Sequence, residues 1–563
     1  MTWHVSVPTE SYDVARDEFS WAFPDDYNAA TDLLRKHERA ADRTALSQLA
    51  ADGTREEYTF ADLDRRSNRV ANALRARGVG RGDRVAVFVP QKPANVLTHL
   101  ACWKLGTVSL PLSVLFGEEA LRFRLRDSDS TVVVADESVL DTVAAAAPDC
   151  PDLTHVLTVD AEGEQSTPST TSDDSTTWEQ FAAVVDDADP AFDVVDTDHE
   201  TPAIVMYTSG STGPPKGVLH GHGVWAGHCP AFSMYFEHDV HDDDAVFWTP
   251  ADWAWIGALG DLVFPAWHYG RPVVGHPMGK FDPERAFEIL GEFDVTHTFL
   301  PPTAIRMMMN VDDPTERFDL SLRAICSGGE PLTPEILDWA DAELGGVAVN
   351  ELYGQTEANL LVTNCQQWFE AQPGSMGKPV PGHDVAVVDT ETGDRRPTGE
   401  VGEIAVRRDG DPVVFTEYLD DPEKTAATTV DGWHLTGDLG VEDDDGYVWF
   451  KARDDDLIIT SGYRVGPGEV EQVLLDHDAV EQAGVVGVPD EMRGEIVKAF
   501  VQPVGDVIDA ETVRNELRDL VRSRLAKYEY PREIAFVDEL PQTTTGKIQR
   551  RKLRERETSE TTQ

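Results

Sequence analysis

The chain has 563 residues, a length at which a single hydrophobic core gives way to two or more domains. Hydrophobic residues make up 41% of it, which excludes a largely disordered chain. Its 48 basic and 102 acidic residues give a net charge of −54, which disfavours partners such as nucleic acid or an anionic membrane. Acidic runs such as Asp454-Asp-Asp456 favour the solvated surface of a halophile-type protein in a high-salt cytoplasm.

The cysteines and the apolar runs favour a cytoplasmic protein. The five cysteines are widely spaced and include no Cys-x-x-Cys pair, so neither a disulfide framework nor a structural zinc site is expected. No apolar run is long enough to span a bilayer, and the first residues lack the basic region and apolar core of a signal peptide. The sequence leaves the oligomeric state open.

Helical and strand patterns alternate through the first four-fifths of the chain. Apolar residues at helical spacing predict a helix over 60–79, and a second helix over 93–105 begins with a proline, where its missing N–H costs nothing. The predicted segments that complete this part are strands at 85–89, 108–112 and 131–135 and a helix at 119–126. Such alternation is typical of an α/β domain whose largely parallel sheets are covered by helices. Residues 162–200, rich in Ser, Thr and Asp, are predicted to be mostly a surface excursion.

The pattern changes near residue 455. The predicted elements after it are strands at 457–459, 483–488 and 498–501 and helices at 469–475 and 511–527, with a loose tail after Leu553. We therefore predict a large N-terminal domain over 1–454 and a small α+β domain over 455–563, a plausible size for an independent domain.

The most informative segment is Tyr207-Thr-Ser-Gly-Ser-Thr-Gly-Pro-Pro-Lys-Gly217, which follows a buried strand pattern. Glycines let backbone N–H groups turn toward an anion, hydroxyls add donors, and a lysine adds a point charge. The common nucleotide loop ends in Gly-Lys-Ser/Thr, whose hydroxyl holds magnesium. Here Lys216 is followed by glycine, so magnesium needs another ligand. The alternative is a flexible Ser/Gly linker. The candidate phosphate-binding residues are Thr208, Ser209, Gly210, Ser211, Thr212, Gly213 and Lys216.

Tyr353-Gly-Gln-Thr-Glu357 offers an aromatic face, a hydroxyl and a carboxylate in a turn-like setting. Magnesium prefers oxygen ligands and usually takes one or two carboxylates plus phosphate, so Glu357 is a candidate for the missing ligand. The alternative for Glu357 is a solvated loop acid. Gly354 and Gln355 lie between the two candidate groups and are included in the predicted nucleotide site.

Four further segments carry candidate nucleotide contacts. The turn Ser327-Gly-Gly-Glu-Pro331 can approach a flat ligand closely. Asp438 follows a tight turn in Trp433-His-Leu-Thr-Gly-Asp438, where a carboxylate can bridge ribose hydroxyls. Arg453 and Arg464 are candidate contacts, and surface charge is the alternative for both. Lys547, in a Thr-rich loop, is a mobile point charge suited to a reacting phosphoryl group.

Taken together and in this order, these segments resemble the adenylate-forming superfamily of acyl-CoA synthetases, luciferases and nonribosomal peptide adenylation domains. The resemblance runs from about residue 30 to residue 552. Within the superfamily, the segment from Arg453 to Glu471 and Lys527-Tyr-Glu-Tyr-Pro-Arg532 are similar to the medium-chain acyl-CoA synthetase branch. One departure is Ala452, where glycine usually precedes the arginine.

The resemblance implies a role for each motif. For the phosphates and the metal, Thr208 to Lys216 would enclose the β- and γ-phosphates of ATP, Thr356 would touch the α-phosphate, and Glu357 would bind magnesium. For the nucleoside, Gly329, Glu330 and Pro331 would border adenine, Tyr353 would stack on it, and Asp438 and Arg453 would hold the ribose. In the small domain, Asp455 would be the hinge of its motion, Ser461 and Gly462 would line the pantetheine tunnel, and Lys547 would serve adenylation.

The resemblance implies two half-reactions. A carboxylate attacks the α-phosphorus of ATP, pyrophosphate leaves, and the acyl-adenylate then reacts with the thiol of CoA. Acetate-specific relatives carry tryptophan at the position of Gly354, so glycine predicts an open pocket for a short- to medium-chain fatty acid. The tryptophans of Phe247–Gly257 either narrow that pocket or pack in the core. The alternatives are an acetate or propionate ligase, an adenylation domain that serves a carrier protein and, more remotely, a luciferase.

Overall fold

The computed structural model describes residues 3–160, 176–208, 214–329, 332–453, 456–460, 463–490, 494–505, 510–525, 529–542 and 547–560. The chain divides into two compact units. Unit 1 comprises Met1–Val385 and Val406–Gly432, and unit 2 comprises Ala386–Ala405 and Trp433–Gln563. A domain boundary defined by motion about Asp455, which lies outside the described residues, stays a prediction.

The first sheet of unit 1 is parallel in its centre and antiparallel at both ends. Its strands in spatial order are β16 (Lys378–Pro379), β15 (Asn359–Thr363), β14 (Ala348–Gln355), β13 (Ala324–Gly328), β12 (His297–Phe299), β10 (Phe247–Trp248), β11 (Val273–Gly275), β1 (Thr44–Leu49) and β2 (Arg55–Thr59).

The second sheet of unit 1 is parallel except where β9 pairs with β8 and β19. Its strands in spatial order are β19 (Glu417–Tyr418), β9 (Lys216–Gly221), β8 (Pro202–Thr208), β4 (Val108–Pro111), β3 (Arg84–Phe88), β5 (Ser130–Asp136), β6 (His155–Val159) and β7 (Thr177–Gln180). The predicted strands at 85–89, 108–112 and 131–135 are confirmed as β3, β4 and β5.

Helices cover these sheets, as the α/β pattern predicted. The helices of unit 1 are α1 (Tyr12–Glu18), α2 (Ala29–Arg35), α3 (Phe60–Ala76), α4 (Pro93–Leu105), α5 (Glu118–Asp127), α6 (Leu140–Ala146), α7 (Phe181–Asp186), α8 (Val224–Tyr235), α9 (Ile256–Ala258), α10 (Phe264–His268), α11 (Pro283–Glu292), α12 (Pro302–Met308), α13 (Pro314–Arg317), α14 (Pro334–Glu343) and α15 (Pro422–Ala427). A π-helical turn at Leu259–Val263 and a short strand β20 (Thr429–Val430) also belong to this unit.

Local sequence explains where these helices begin and end. Thr59 and Asp62 form a reciprocal capping box at the start of α3. Helix α4 begins at Pro93 and ends where Gly106 adopts a left-handed conformation with φ of 69°. The side chains of α8 are all buried, so it packs inside the unit rather than on its surface. Among the described helices, none combines the length and the apolar character needed to cross a membrane.

The segment before the phosphate loop differs from the prediction. Residues 161–175 lie outside the described residues, but residues 177–186 form β7 and α7 rather than a surface excursion. Phe181 and Val185 of α7 are buried in the core of unit 1. Their apolar side chains were hidden among the Ser, Thr and Asp residues that dominate the composition of this stretch.

Unit 2 contains two sheets and three helices among its described residues. The first sheet contains β17 (Val385–Val388), β18 (Gly402–Arg407), β21 (Trp433–Glu442) and β22 (Val448–Arg453). The second sheet contains β24 (Tyr463–Val465), β23 (Ile458–Thr460), β26 (Gly494–Pro503), β25 (Val480–Asp490) and β27 (Glu533–Phe536). The helices are α16 (Pro467–Leu475), α17 (Ala510–Arg524) and α18 (Arg550–Glu560). The predicted small-domain elements are confirmed within a few residues. The tail after Leu553 is helical, against the prediction of a loose segment, because Leu553 packs into an apolar cluster.

Candidate active site

The predicted phosphate loop joins two paired strands. Thr208, the last residue of β8, pairs with Lys216, the first residue of β9. The strand predicted before the loop is therefore confirmed, and Lys216 lies at the start of a strand rather than inside the loop. Ser209, Gly210, Ser211, Thr212 and Gly213 lie outside the described residues, so their contact with phosphate stays a prediction.

Side-chain contacts fix the strands on both sides of this loop. The Tyr207 hydroxyl donates a hydrogen bond to Asp127 at 2.6 Å, and the Arg124 guanidinium lies 5.6 Å from the centre of the Tyr207 ring. A Cβ atom at Gly217 would lie only 3.2 Å from the Cβ of Leu419 and 3.3 Å from the Tyr207 ring. Glycine at 217 therefore lets β9 lie close to β8 and to the residue that follows β19.

Tyr418 connects two of the predicted ligands, Lys216 and Glu357. Strand β19 pairs antiparallel with β9, which places Tyr418 opposite Val218. The Tyr418 hydroxyl donates to Oε1 of Glu357 at 2.9 Å, and the Lys216 ammonium lies 5.1 Å from the centre of the Tyr418 ring. Glu357 is buried rather than solvated, which contradicts the loop-acid alternative. Tyr418 was missed because its contacts depend on the pairing of distant strands.

His220 of β9 holds the turn that contains Thr356. Its Nε2 lies 2.6 Å from the Thr356 carbonyl oxygen, which can only accept, so the imidazole donates through Nε2. Burial lowers the pKa of His220 to about 3, which keeps the ring neutral. His220 was not predicted as a site residue, although the two histidines of Leu219-His-Gly-His222 on an apolar strand are a signal for it.

Strand pairing explains the glycine at position 354. Tyr353, Gly354 and Gln355 belong to β14 rather than to a turn, and Thr356 and Glu357 lie in the connection to β15. A Cβ atom at Gly354 would lie 2.0 Å from the carbonyl oxygen of Asn359. The expectation that glycine here opens space for an acyl chain is therefore wrong, because backbone occupies that space.

The predicted adenine turn begins at the end of β13. Gly329 adopts φ of +91°, a conformation that favours glycine, whereas Glu330 and Pro331 lie outside the described residues. The N–H of Leu332 donates to Oε2 of the buried Glu351 at 3.0 Å. Burial raises the pKa of Glu351 to about 8. This carboxyl group, which was not predicted as a site residue, holds the end of the turn at Leu332.

The aromatic segment 247–257 divides between core and surface. Trp248 and Trp253 are fully buried, which confirms the core-packing alternative for both. Trp255 is only half-buried, and its ring meets Phe116 edge-on with centroids 5.9 Å apart. Ser113 donates to Asp252 at 2.6 Å and so ties together the loops that carry these two rings.

The predicted ribose-binding residues are neighbours within unit 2. Asp438 and Arg453 are opposite each other on β21 and β22, and their side chains form an ion pair at 3.5 Å. Asp438 is buried within β21 rather than just after a tight turn as predicted, and Gly437 before it adopts φ of +76°. The pairing brings the two predicted groups together, whereas ribose binding stays a prediction.

The remaining candidates also belong to unit 2. Lys547 is exposed, directly before an antiparallel bridge between Ile548 and Gln542. Arg464 lies in β24, although its side chain is outside the described residues. Gly462 and the predicted hinge Asp455 also lie outside them.

Comparison with known proteins gives a consistent result along most of the chain. A model described as AMP-binding enzyme matches residues 33–419, and one described as AMP-binding enzyme C-terminal domain matches residues 469–547. The mitochondrial acyl-coenzyme A synthetase ACSM4 of Rattus norvegicus is 36% identical over 548 residues, which cover 95% of this chain and 91% of that protein. The acetyl-coenzyme A synthetase of Bacillus subtilis (strain 168) is 34% identical, with coverage of 94% and 90%.

A solved structure is also similar. The crystal structure of the anthranilate CoA ligase AuaEII in complex with anthranoyl-AMP superposes with a TM-score of 0.83 at 27% sequence identity. The match covers 96% of this chain and 99% of that one.

Proposed function

The chain belongs to the AMP-binding enzyme family, and we propose that it is an AMP-forming acyl-CoA synthetase, an acid–thiol ligase whose substrates are a carboxylic acid, ATP and CoA. Its similarity to an acyl-CoA synthetase and a CoA ligase extends over nearly the full length of each. The observation within the site that supports this function best is the set of contacts that Tyr418 and His220 make. They connect Lys216, Thr356 and Glu357, three groups suited to phosphate chemistry.

In the first half-reaction a carboxylate oxygen attacks the α-phosphorus of ATP, and the bond to pyrophosphate breaks. We assign Lys216 and the loop before it to the leaving pyrophosphate, and Thr356 to an α-phosphate oxygen. Lys547 is assigned to the negative charge that develops on the phosphate in the transition state. Groups that are oriented in advance stabilise such charge without reorganisation.

Glu357 would hold magnesium in this site. A carboxylate oxygen is the donor type that magnesium prefers, and the Tyr418 hydroxyl orients this carboxylate. Magnesium would supply charge neutralisation on the phosphates when bound. The phosphate loop lacks the usual magnesium-binding hydroxyl after its lysine, so Glu357 is the natural replacement.

The nucleoside contacts are proposed on the same basis. Tyr353 would stack on adenine beside Gly329, Glu330 and Pro331, with Gly354 and Gln355 as neighbours in the strand. In unit 2, Asp438 would accept hydrogen bonds from the ribose hydroxyls, with Arg453 and Arg464 as further contacts. The carboxylate of Asp438, 3.5 Å from the Arg453 guanidinium, has the acceptor oxygens that two ribose hydroxyls require.

In the second half-reaction the CoA sulfur attacks the acyl carbon of the adenylate, AMP leaves, and a thioester forms. This step breaks no bond to pyrophosphate. Lys547, assigned to the charge that develops on the phosphate while pyrophosphate departs, is therefore dispensable for the second half-reaction.

For the acid we propose a short- to medium-chain fatty acid. Gly354 does not open a pocket, so the support comes from the aromatic segment instead. Trp248 and Trp253 pack in the core and therefore do not narrow a pocket for the acyl chain, whereas Trp255 and Phe116 are half-buried. Acetate or propionate is the second candidate, because the matched Bacillus subtilis protein is named as an acetyl-coenzyme A synthetase.

Two measurements test this proposal. Pyrophosphate release is followed with a series of carboxylates from acetate to decanoate, and AMP release is followed with and without CoA. We expect turnover to require CoA and to favour acids longer than acetate. AMP release that is independent of CoA would indicate an adenylation domain for a carrier protein, and a sharp optimum at acetate would indicate the second candidate.

We also propose that the protein works in a high-salt cytoplasm. The support is its net charge of −54, because dissolved ions screen the self-repulsion of so acidic a surface.

A further inference from the structure

We propose that Arg550 positions Lys547 for adenylation through a bidentate ion pair with Glu471. This inference rests on the role proposed above for Lys547, three residues earlier in the chain. Arg550 and Glu471 would act as positioning residues, through Lys547 and without touching a substrate themselves. All the groups involved belong to unit 2.

The ion pair between Arg550 and Glu471 is bidentate. Nη2 of Arg550 lies 2.6 Å from Oε2 of Glu471, and Nε lies 3.1 Å from Oε1. Side-chain exposure is 21% for the arginine and 11% for the glutamate. Two parallel hydrogen bonds fix the orientation of the guanidinium plane as well as its distance, which a single contact does not.

Each partner is held by a second contact. Oε1 of Glu471 accepts the backbone N–H of Val485 at 2.7 Å, which ties α16 to β25. Nη1 of Arg550 lies 3.0 Å from Asp456, which also accepts from Arg554 of the same helix. The start of α18 is therefore fixed to a helix, a strand and the segment just before β23.

The residues between Arg550 and Lys547 are also anchored. Ile548 forms a bridge with Gln542 and packs on the cluster that contains Leu553. The N–H of Gln549 donates to the Pro541 carbonyl at 2.7 Å. Three residue steps span at most about 11 Å, so an anchored Arg550 limits where the Lys547 backbone can lie.

This arrangement suits a lysine that must act at one defined point. The Lys547 side chain is exposed and has four rotatable carbon–carbon bonds, so the position of its backbone sets the region that its ammonium can reach. Fixing the backbone behind it reduces the volume that the ammonium samples. A misplacement of about 1 Å in a catalytic group costs on the order of 100-fold in rate.

The test compares Arg550→Lys and Glu471→Gln with Arg551→Lys in the full-length enzyme. Arg551 is the matched control because it lies next in the same helix but is exposed and pairs with Glu555. Adenylation is measured by ATP–pyrophosphate exchange, and thioester formation by loss of the CoA thiol after acyl-AMP is supplied. The five cysteines of the enzyme are buried, so a thiol reagent reports on CoA.

We expect kcat for adenylation to fall about 10- to 100-fold in R550K and E471Q. KM for ATP, thioester formation and the activity of R551K should stay unchanged. In a Lys547→Ala background, R550K should cause no further loss of adenylation, because residues that act through one group are not additive.

Several outcomes would overturn the inference. Equal loss in both half-reactions, additive loss in the double variant, or failure of both R550K and E471Q to fold would assign the ion pair to stability. Normal adenylation in K547A would instead refute the proposed role of Lys547. Loss in K547A with normal rates in R550K and E471Q would refute the positioning role alone.

Discussion

The hydroxyl of Tyr418 donates a hydrogen bond to Glu357 at 2.9 Å, which joins a short strand of the second sheet to the connection between two strands of the first. The bond links the two sheets of unit 1 at the proposed magnesium ligand. The N–H of Phe415 donates to the Glu357 carbonyl at 2.8 Å, so backbone and side chain of this residue are held by the same segment.

Tyr418→Phe should weaken magnesium-dependent binding of ATP while leaving the ring over Lys216. Loss of a residue that orients a metal ligand typically costs 10- to 100-fold in affinity. We therefore expect the magnesium concentration that gives half-maximal ATP–pyrophosphate exchange to rise about tenfold. Tyr58→Phe is the matched control, since Tyr58 also donates to a carboxylate, Glu56, in unit 1. Equal effects of the two substitutions would contradict a specific role for Tyr418.

Lys547→Ala should block acyl-AMP formation and spare thioester formation from supplied acyl-AMP. Removal of one group that stabilises developing charge typically costs 100- to 1,000-fold in kcat. ATP–pyrophosphate exchange measures the first half-reaction, and loss of the CoA thiol measures the second. Lys552→Ala, at an exposed position of α18, controls for the loss of a surface lysine. Equal loss in both assays would reject the assigned role.

The free energy of unfolding of the native protein should fall as pH rises because of Glu351, and Glu351→Gln should abolish this part of the pH dependence. Burial raises the pKa of Glu351 to about 8 from 4.5, so the folded protein keeps this proton at pH values where the unfolded chain has released it. The contribution of the protonated Glu351 to the free energy of unfolding is fully present below pH 4.5. It is lost at about 1.4 kcal/mol per pH unit as pH rises toward 8. Glutamine keeps the acceptor for the Leu332 N–H and carries no proton to lose.

Urea unfolding at pH 5 and pH 8, at constant salt, measures this effect. The stability of E351Q relative to the native protein should rise between these values by up to about 4 kcal/mol. Glu343→Gln, at an exposed position of α14, should show no such change. Parallel pH curves for E351Q and the native protein would show that the Glu351 carboxyl ionises alike in both states.

Local patterns predicted the elements but not the contacts between them. Helix α4 and strands β3 and β4 were found within one residue or so, because proline, glycine and apolar spacing mark their ends. The motif order also selected Lys216 and Glu357, which both contact Tyr418, whereas their roles stay predictions. The roles of Tyr418, His220 and Glu351 were not predictable, since each depends on which distant strands pair.

Gly354 shows the opposite error. The sequence suggested that a missing side chain leaves room for substrate, whereas a carbonyl of the neighbouring strand occupies that position. A glycine in a strand can mark close approach of a neighbouring backbone. Only the register of the strand pair shows whether a glycine leaves room for substrate or allows a neighbouring backbone to approach.

Salt should stabilise this protein strongly at low concentrations. The net charge of −54 means that negatively charged side chains repel one another across the surface. Salt screens this repulsion, because the Debye length falls from about 10 Å at 0.1 M to about 3 Å at 1 M. We expect the Tm to rise between 0.1 M and 1 M KCl, and less steeply above 1 M, when it is measured by calorimetry. Equimolar sucrose controls for exclusion of cosolute from the surface. A Tm independent of KCl would contradict adaptation to a high-salt cytoplasm.

Trp255→Ala should shift acid preference toward longer chains. Trp255 is the half-buried tryptophan of its segment and contacts Phe116 edge-on, whereas Trp248 and Trp253 are committed to the core. Each methylene buried contributes about 0.8 kcal/mol, or roughly fourfold in kcat/KM. We expect the Trp255 ring to limit the length of the acyl chain, so its removal should raise the kcat/KM of octanoate relative to butyrate by one to two orders of magnitude.

The control for this shift is Trp178→Ala, which removes a partly buried tryptophan from β7 of the same unit. It should leave the ratio of octanoate to butyrate unchanged even where overall activity falls. Because the comparison is a ratio of two acids on one enzyme, partial unfolding lowers both rates alike and cancels. An unchanged ratio in W255A would place the acyl chain away from Trp255 and remove the support that this residue gives to a fatty-acid substrate.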